Sequence, residues 1–158
     1  MTILAIDFGG TQVKSALVSE NLVLEKSLPT QSSPQTLDQA LDVIDQLVTS
    51  VEVALSGIAI SVPGTVDTDE GVIYHGGLLR FFHGFRIKEV LQAKYHLPVA
   101  ALNDGKAAAL AELATGYLKG VTNGAALVLG SGLGGGIIIN GKLFQGSHFQ
   151  AGELTFLL

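Results

Sequence analysis

The sequence predicts an α/β fold: an antiparallel meander running into parallel strands with flanking helices. Three observations carry this. Strand-like and helix-like segments alternate along the chain after the first thirty or so residues, the pattern of a sheet covered by helices. The segments 2–8, 58–62 and 97–102 are near-continuous apolar runs, as strands buried on both faces are. Two glycine turns, at Gly9-Gly10 and in the run Gly130-Ser131-Gly132-Leu133-Gly134-Gly135-Gly136, each have apolar strands on both sides.

In order, residues 2–8 form the first strand with Asp7 near its end. Residues 13–18 and 22–28 continue the meander through a turn at Ser19, Glu20 and Asn21. Ser33 followed by Pro34 reads as an N-cap and first helical residue. Leu37, Leu41, Ile44, Leu47, Val48 and Val51 then fall at steps of three and four, one stripe of an amphipathic helix. Asp38, Asp42 and Asp45 make its solvated face. The strand 58–62 runs into Pro63-Gly64, a turn follows at residues 69–71, and residues 72–74 make a short strand. Residues 76–85 are expected to be irregular with exposed aromatics. A helix over 86–96 leads to the strand 97–102, which ends at Asn103-Asp104. An alanine-rich helix covers 106–118. The turn cluster 120–124 marks the domain boundary, giving an N-terminal α/β lobe over 1–119 and the start of a second lobe over 120–158.

The bulk composition excludes several classes. With 158 residues, 47% of them hydrophobic, the chain can bury a proper core. The net charge is −5 and no basic cluster exists, so nucleic acid is not an expected partner. The absence of cysteine removes any disulfide framework or thiolate metal site. The four histidines lack ligand spacing, which argues against structural zinc. No apolar run approaches a membrane span, and no signal peptide is read at the N-terminus. A soluble, cytoplasmic protein without a membrane partner is the expectation. The chain stops on the apolar run Phe156-Leu157-Leu158, so a longer parent protein is also expected.

Glycine lets backbone N–H groups approach an anion where a Cβ would block it. Two facing glycine hairpins would therefore hold a polyphosphate between two lobes, although ordinary hairpins account for each alone. Gly130, Gly132 and Gly135 satisfy G-x-G-x-x-G, but Ile137-Ile138-Ile139 follows as a β-branched strand where a dinucleotide site needs a helix. A Walker A loop is absent, because neither Gly105-Lys106 nor Gly141-Lys142 is followed by Ser or Thr.

Asp104 is the candidate general base. It stands at a strand end before a helix, whose N-terminus favours an ionised carboxylate. The alternative is that Asp104 or Asn103 merely caps that helix. Asp7 beside a phosphate turn would repel phosphate unless a cation lies between, and Mg²⁺ is commonly held by one or two carboxylates plus phosphate oxygens. Asp7 is thus the candidate magnesium residue, acting through water. Thr11 and Lys14 could add a hydroxyl and a positive charge; Lys14 reads equally as an exposed strand residue.

The motifs Asp7-Phe8-Gly9-Gly10-Thr11, Leu102-Asn103-Asp104 with its alanine-rich helix, Gly130 to Gly136 leading to Lys142, and Ala151-Gly152-Glu153 resemble the ROK family of sugar kinases and sugar-responsive repressors. They fall in the family's order over nearly the whole chain. The resemblance implies an actin-like ATPase (ribonuclease H-like) fold, followed by the first hairpin of a second similar domain. It implies transfer of the γ-phosphate of MgATP to a hydroxyl of a hexose or hexose derivative. Asp104 would be the base; Gly64, Asn103, Asp104 and Glu153 would bind the sugar. Asp7, Gly9, Gly10, Thr11, Lys14, Gly132, Gly134 and Gly135 would surround ATP and Mg²⁺, and a homodimer would be compatible with the family. Phe156 stands where family kinases commonly place a His, which leaves the sugar open. The rival reading is a non-catalytic sugar-binding sensor or transcriptional regulator of the same family; a retained base at Asp104 favours the enzyme.

Overall fold

The computed structural model describes residues 1–19, 21–130 and 132–155. Strands β1 (Thr2–Phe8), β2 (Gln12–Ser19), β3 (Leu24–Ser27) and β4 (Gln31–Ser32) precede helix α1 (Leu37–Ser50). Then come β5 (Leu55–Val62), the hairpin β6 (Thr65–Asp67) and β7 (Val72–His75), helix α2 (Ile87–Tyr95), β8 (Val99–Asn103) and helix α3 (Asp104–Thr115). Strands β9 (Gly124–Leu129), β10 (Leu133–Ile139) and β11 (Lys142–Phe144) close the sequence.

The main sheet runs β3-β2-β1-β5-β8, with β4 on β2. β1 is antiparallel to β2 and parallel to β5, and β5 is parallel to β8. This places the carboxyl ends of β1, β5 and β8 side by side, so Asp7, Ser61 and Asn103 end at one rim. Alternation does the rest. Leu4, Ile6 and Phe8 point into a core with Ile58, Ile60, Val62 and residues of α1 and α2, while Ala5 and Asp7 face the other way. β9, β10 and β11 form a separate antiparallel sheet against which α3 packs.

Several sequence expectations change. Helix α1 is capped by Thr36, not Ser33: the Thr36 hydroxyl accepts from the Gln39 amide at 3.2 Å. Thr36 and Gln39 form the S/T-x-x-E/Q pattern of a capping box, a better start signal than Ser-Pro. Ser33 instead donates its hydroxyl to the Gly9 carbonyl at 2.9 Å, pinning the first glycine turn. β3 is shorter than expected and exposed along its length, because it lies at the sheet edge. Of its preceding turn, Glu20 lies outside the described residues. Helix α3 starts two residues earlier than expected, at Asp104, and ends at Thr115.

Residues 76–85 are not an aromatic surface. Phe82 is fully buried in the short 3₁₀ turn Arg80–Phe82 and meets Phe8 edge to face, with ring centroids 5.5 Å apart. Phe81 and Phe85 pack against the same core, so the segment is anchored by its aromatics. Asp45 is also more than a solvated residue: it accepts from Lys94 and from the Tyr95 hydroxyl, joining α1 to α2. These bonds, that from Lys94 first, hold its carboxyl below the usual range. On the second sheet, Leu127 and Leu129 remain 65% and 85% exposed, an apolar face that nothing in the described residues covers.

Candidate functional site

The rim of the main sheet, the β6–β7 hairpin and the second sheet enclose a cavity of about 550 Å³. Asp7, Gly9, Gly10, Thr11 and Lys14 line one wall. Gly64, His75 and Asp104 form the floor side, and Gly130, Gly132, Gly134 and Glu153 the opposite wall. A second hollow, about 690 Å³, lies over the alanine-rich face of the main sheet; it shares Asp7 and Lys14 with the first and is lined largely by alanine and other apolar side chains. Convergent polar groups distinguish the first cavity as the candidate site.

Asn103 and Asp104 divide the two roles that the sequence leaves open. Asn103 is the N-cap: its Oδ1 accepts from the Lys106 amide at 3.0 Å. Its Nδ2 donates to the Gly64 carbonyl at 2.8 Å and lies 3.1 Å from Asp104 Oδ1. Asn103 is buried, and these bonds tie the start of α3 to the Gly64 turn. It is not among the residues that line the cavity. Asp104 opens the helix and lines the cavity, with Oδ1 accepting from the Gly105 amide at 2.8 Å.

The helix N-terminus does not settle the charge state of Asp104 as expected. Burial raises its carboxyl above the usual range, the Gly105 amide opposes this, and the charges of Asp7 and Glu153 add to the rise. A carboxylate with a raised pKa is a stronger base, which suits a proton acceptor.

Asp7 ends β1 directly opposite Lys14 of β2 and beside Ser61 of β5. Ser61 donates to Asp7 Oδ1 at 2.7 Å, a contact the sequence did not reveal. Its signal is the alternation of β5, which places Ser61 on the Asp7 face. Among the described residues no group of three or more His, Cys, Asp or Glu side chains is gathered as a metal site. Glu153 accepts at Oε1 from the Thr155 amide at 3.2 Å and the Thr155 hydroxyl at 2.6 Å.

Gly64 has φ +94, and a Cβ there would stand 1.9 Å from the His75 carbonyl oxygen. The β6–β7 hairpin thus folds directly onto it. The second glycine run splits into two uses. Gly130 and Gly132 stand between β9 and β10; Ser131 lies outside the described residues. Gly134, Gly135 and Gly136 lie in β10 itself, not in a turn. Gly132 and Gly134 reach the cavity; Gly135 does not, because it is pressed against α3. His75, Leu78 and Thr155 also line the cavity and were missed, having no motif to mark them.

A mixed sheet of this order, with carboxylates at the carboxyl ends of β1 and β8 and a second small sheet across a cleft, is an actin-like ATPase domain. The chain belongs to the ROK family, whose model matches residues 3–156. It is 37% identical to a beta-glucoside kinase of Listeria monocytogenes serovar 1/2a, over 99% of this chain and 53% of that protein. A ROK family glucokinase from Streptomyces griseus, solved in complex with glucose and AMPPNP, superposes with TM-score 0.88 at 28% identity, over 98% of this chain and 49% of that one. A ROK family protein from Streptococcus pneumoniae TIGR4, solved in complex with sucrose, gives TM-score 0.85 at 38% identity, over 98% and 51%. The chain spans about half the length of the relatives it matches.

Proposed function

We propose that this chain forms the acceptor-side lobe and the first sheet of the second lobe of an ATP-dependent sugar kinase. Residues 1–119 are the first lobe and 120–158 begin the second. The observation that carries the reading is the placement of Asp104 in one cavity with both glycine turns. Phosphoryl transfer needs little covalent chemistry from a protein; it needs donor, acceptor and a base held together. Asp104 takes the proton of the attacking sugar hydroxyl, a role typically contributing 10²–10⁴-fold. Glu153 and the Gly64 loop orient the sugar. The Gly9-Gly10 backbone and those of Gly132 and Gly134, with Thr11 and Lys14, receive the phosphates.

Asp7 fits a magnesium ion: Ser61 occupies Oδ1, leaving Oδ2 for a water of the ion's shell, and a lone carboxylate suffices when phosphate oxygens complete the shell. Bound there, Mg²⁺ would neutralise phosphate charge between Asp7 and ATP. The named sugar kinases among the relatives, and the glucose and AMPPNP of the Streptomyces griseus glucokinase, support the substrate class. The Listeria relative favours a β-glucoside as acceptor, and the Streptomyces griseus glucokinase favours glucose. A cytoplasmic protein, a homodimer and the lack of nucleic-acid or membrane partners complete the reading; among the described residues no helix is long and apolar enough to cross a membrane. The test is MgATP-dependent phosphorylation of a panel of hexoses and β-glucosides by the whole protein, with Asp104→Asn as control. A wild-type protein that binds sugar but phosphorylates none of the panel would favour the sensor.

A further inference from the structure

Lys106 is the third residue of α3, an alanine-rich helix that offers no reason to expect a charge inside. Yet its side chain is 1% exposed. Removing an ammonium from water is costly unless partners replace the lost hydration. The partner here is a backbone oxygen: Nζ donates to the Phe149 carbonyl at 2.8 Å. Phe149 has φ +56, a left-handed conformation that a bulky residue adopts only when its surroundings impose it. Three residues later comes Gly152, also at positive φ and packed on Gly135 and Gly136, and then Glu153 in the cavity wall.

We propose that Lys106 is a positioning residue for the acceptor site: its buried ammonium, bonded to the Phe149 carbonyl, ties the Asp104 helix to the loop carrying Glu153 and so sets Glu153 relative to Asp104. The inference rests on the sugar-kinase reading for the meaning of that distance, but the tether itself does not. The two carboxylates explain why an ammonium is used. Burial pushes the Lys106 ammonium toward deprotonation, and the negative charges of Glu153 and Asp104 oppose this. A neutral donor could hold the Phe149 carbonyl; only a cation is also stabilised by the carboxylates on both sides of the link. The loop's own bonds, Ala151 N–H to the Gln145 carbonyl at 3.1 Å and Glu153 N–H to the Gln150 carbonyl at 3.1 Å, shape it locally but do not join it to α3.

Lys106→Met in the whole protein keeps the side-chain length and removes donor and charge. Hydrogen exchange of the Ala151 and Glu153 amides should quicken about tenfold or more, with β1 and β5 amides unchanged, as a local opening requires. The sugar KM should rise about 10–100-fold while the ATP KM stays within about twofold, the scale of a misplaced contact. Lys106→Gln, which keeps a donor, should recover part of that loss. In a double-mutant cycle with Glu153→Gln, the second substitution should add little to the first, because Lys106 acts through Glu153. Unchanged loop exchange, equal rises in both KM values, additive losses, or global unfolding of Lys106→Met would each overturn the proposal. If loop exchange responds while the wild-type protein phosphorylates no sugar, the tether stands and the kinase reading falls.

Discussion

Gly105 and Gly135 touch backbone to backbone: a Cβ built on Gly105 would lie 2.5 Å from the Gly135 amide nitrogen. One residue on, a Cβ on Gly136 would lie 2.5 Å from that of Ala109. Helix α3 therefore meets β10 most closely where Gly105 faces Gly135 and Ala109 faces Gly136, and this close approach sets how far the two glycine turns stand apart.

Gly105→Ala should destabilise the protein by about 1–3 kcal/mol, the usual cost of overpacking a tight contact. Neither backbone can yield without moving α3 or β10. Thermal or urea unfolding measures it. A change smaller than about 0.5 kcal/mol would mean that the two sheets separate more easily than this packing implies.

Gly132 is different. A Cβ there meets nothing nearer than Thr155, at 3.8 Å, so packing does not demand glycine. If Gly132 is needed for close approach of a phosphate, Gly132→Val should leave the melting temperature nearly unchanged and raise the ATP KM about tenfold or more, the loss of one or two hydrogen bonds. The sugar KM should barely move. Nucleotide titration alongside a melting curve separates the cases. A lower melting temperature with intact ATP affinity would make the loop structural.

The exposed face of the second sheet gives a third expectation. Leu127, Leu129 and Ile139 are too exposed to be at rest in water alone. The 158-residue chain by itself should self-associate and should not phosphorylate sugar, since its relatives are about twice as long. Leu127→Ser with Leu129→Ser should reduce association, as read by light scattering. Turnover by the 158-residue chain comparable to the whole protein would show that the site needs no more than these residues.

What was legible in the sequence divides by physical cause. Near-continuous apolar runs located the core strands, and a three-to-four period located α1, because burial writes itself into local composition. Asp7 and Asp104 were legible because strand ends are. Asn103 rather than Asp104 carries the cap that the sequence offered to either, and Gly135 lies inside β10 rather than in a turn, since a motif gives residue type but not which neighbour claims it. Thr36 lost to Ser33 because two cap signals lay within three residues. Lys106 left no trace: its burial depends on β10 and on the 145–153 loop, neither of which is near it in sequence.

Asp104 links activity to stability through pH. Its carboxyl is raised, first by burial and then by Asp7 and Glu153, so the folded state holds a proton that the unfolded chain, near the ordinary value of about 3.9, releases. Because the folded state binds more protons in that interval, wild-type stability falls as pH rises from about 4 through the folded pKa. Asp104→Asn removes this slope. At pH 7 it should melt higher than wild type, and the difference should shrink as pH is lowered toward 4. Its turnover should drop about 10²–10⁴-fold with sugar affinity largely kept, since Asn still accepts a hydrogen bond. In the wild type, kcat/KM for sugar should fall on the acid side through a pKa above the usual carboxylate range. Glu153→Gln should move that limb to lower pH by removing one of the charges that raise Asp104. Activity of Asp104→Asn within a few-fold of wild type, or an acid limb that ignores Glu153→Gln, would remove Asp104 from the role of base.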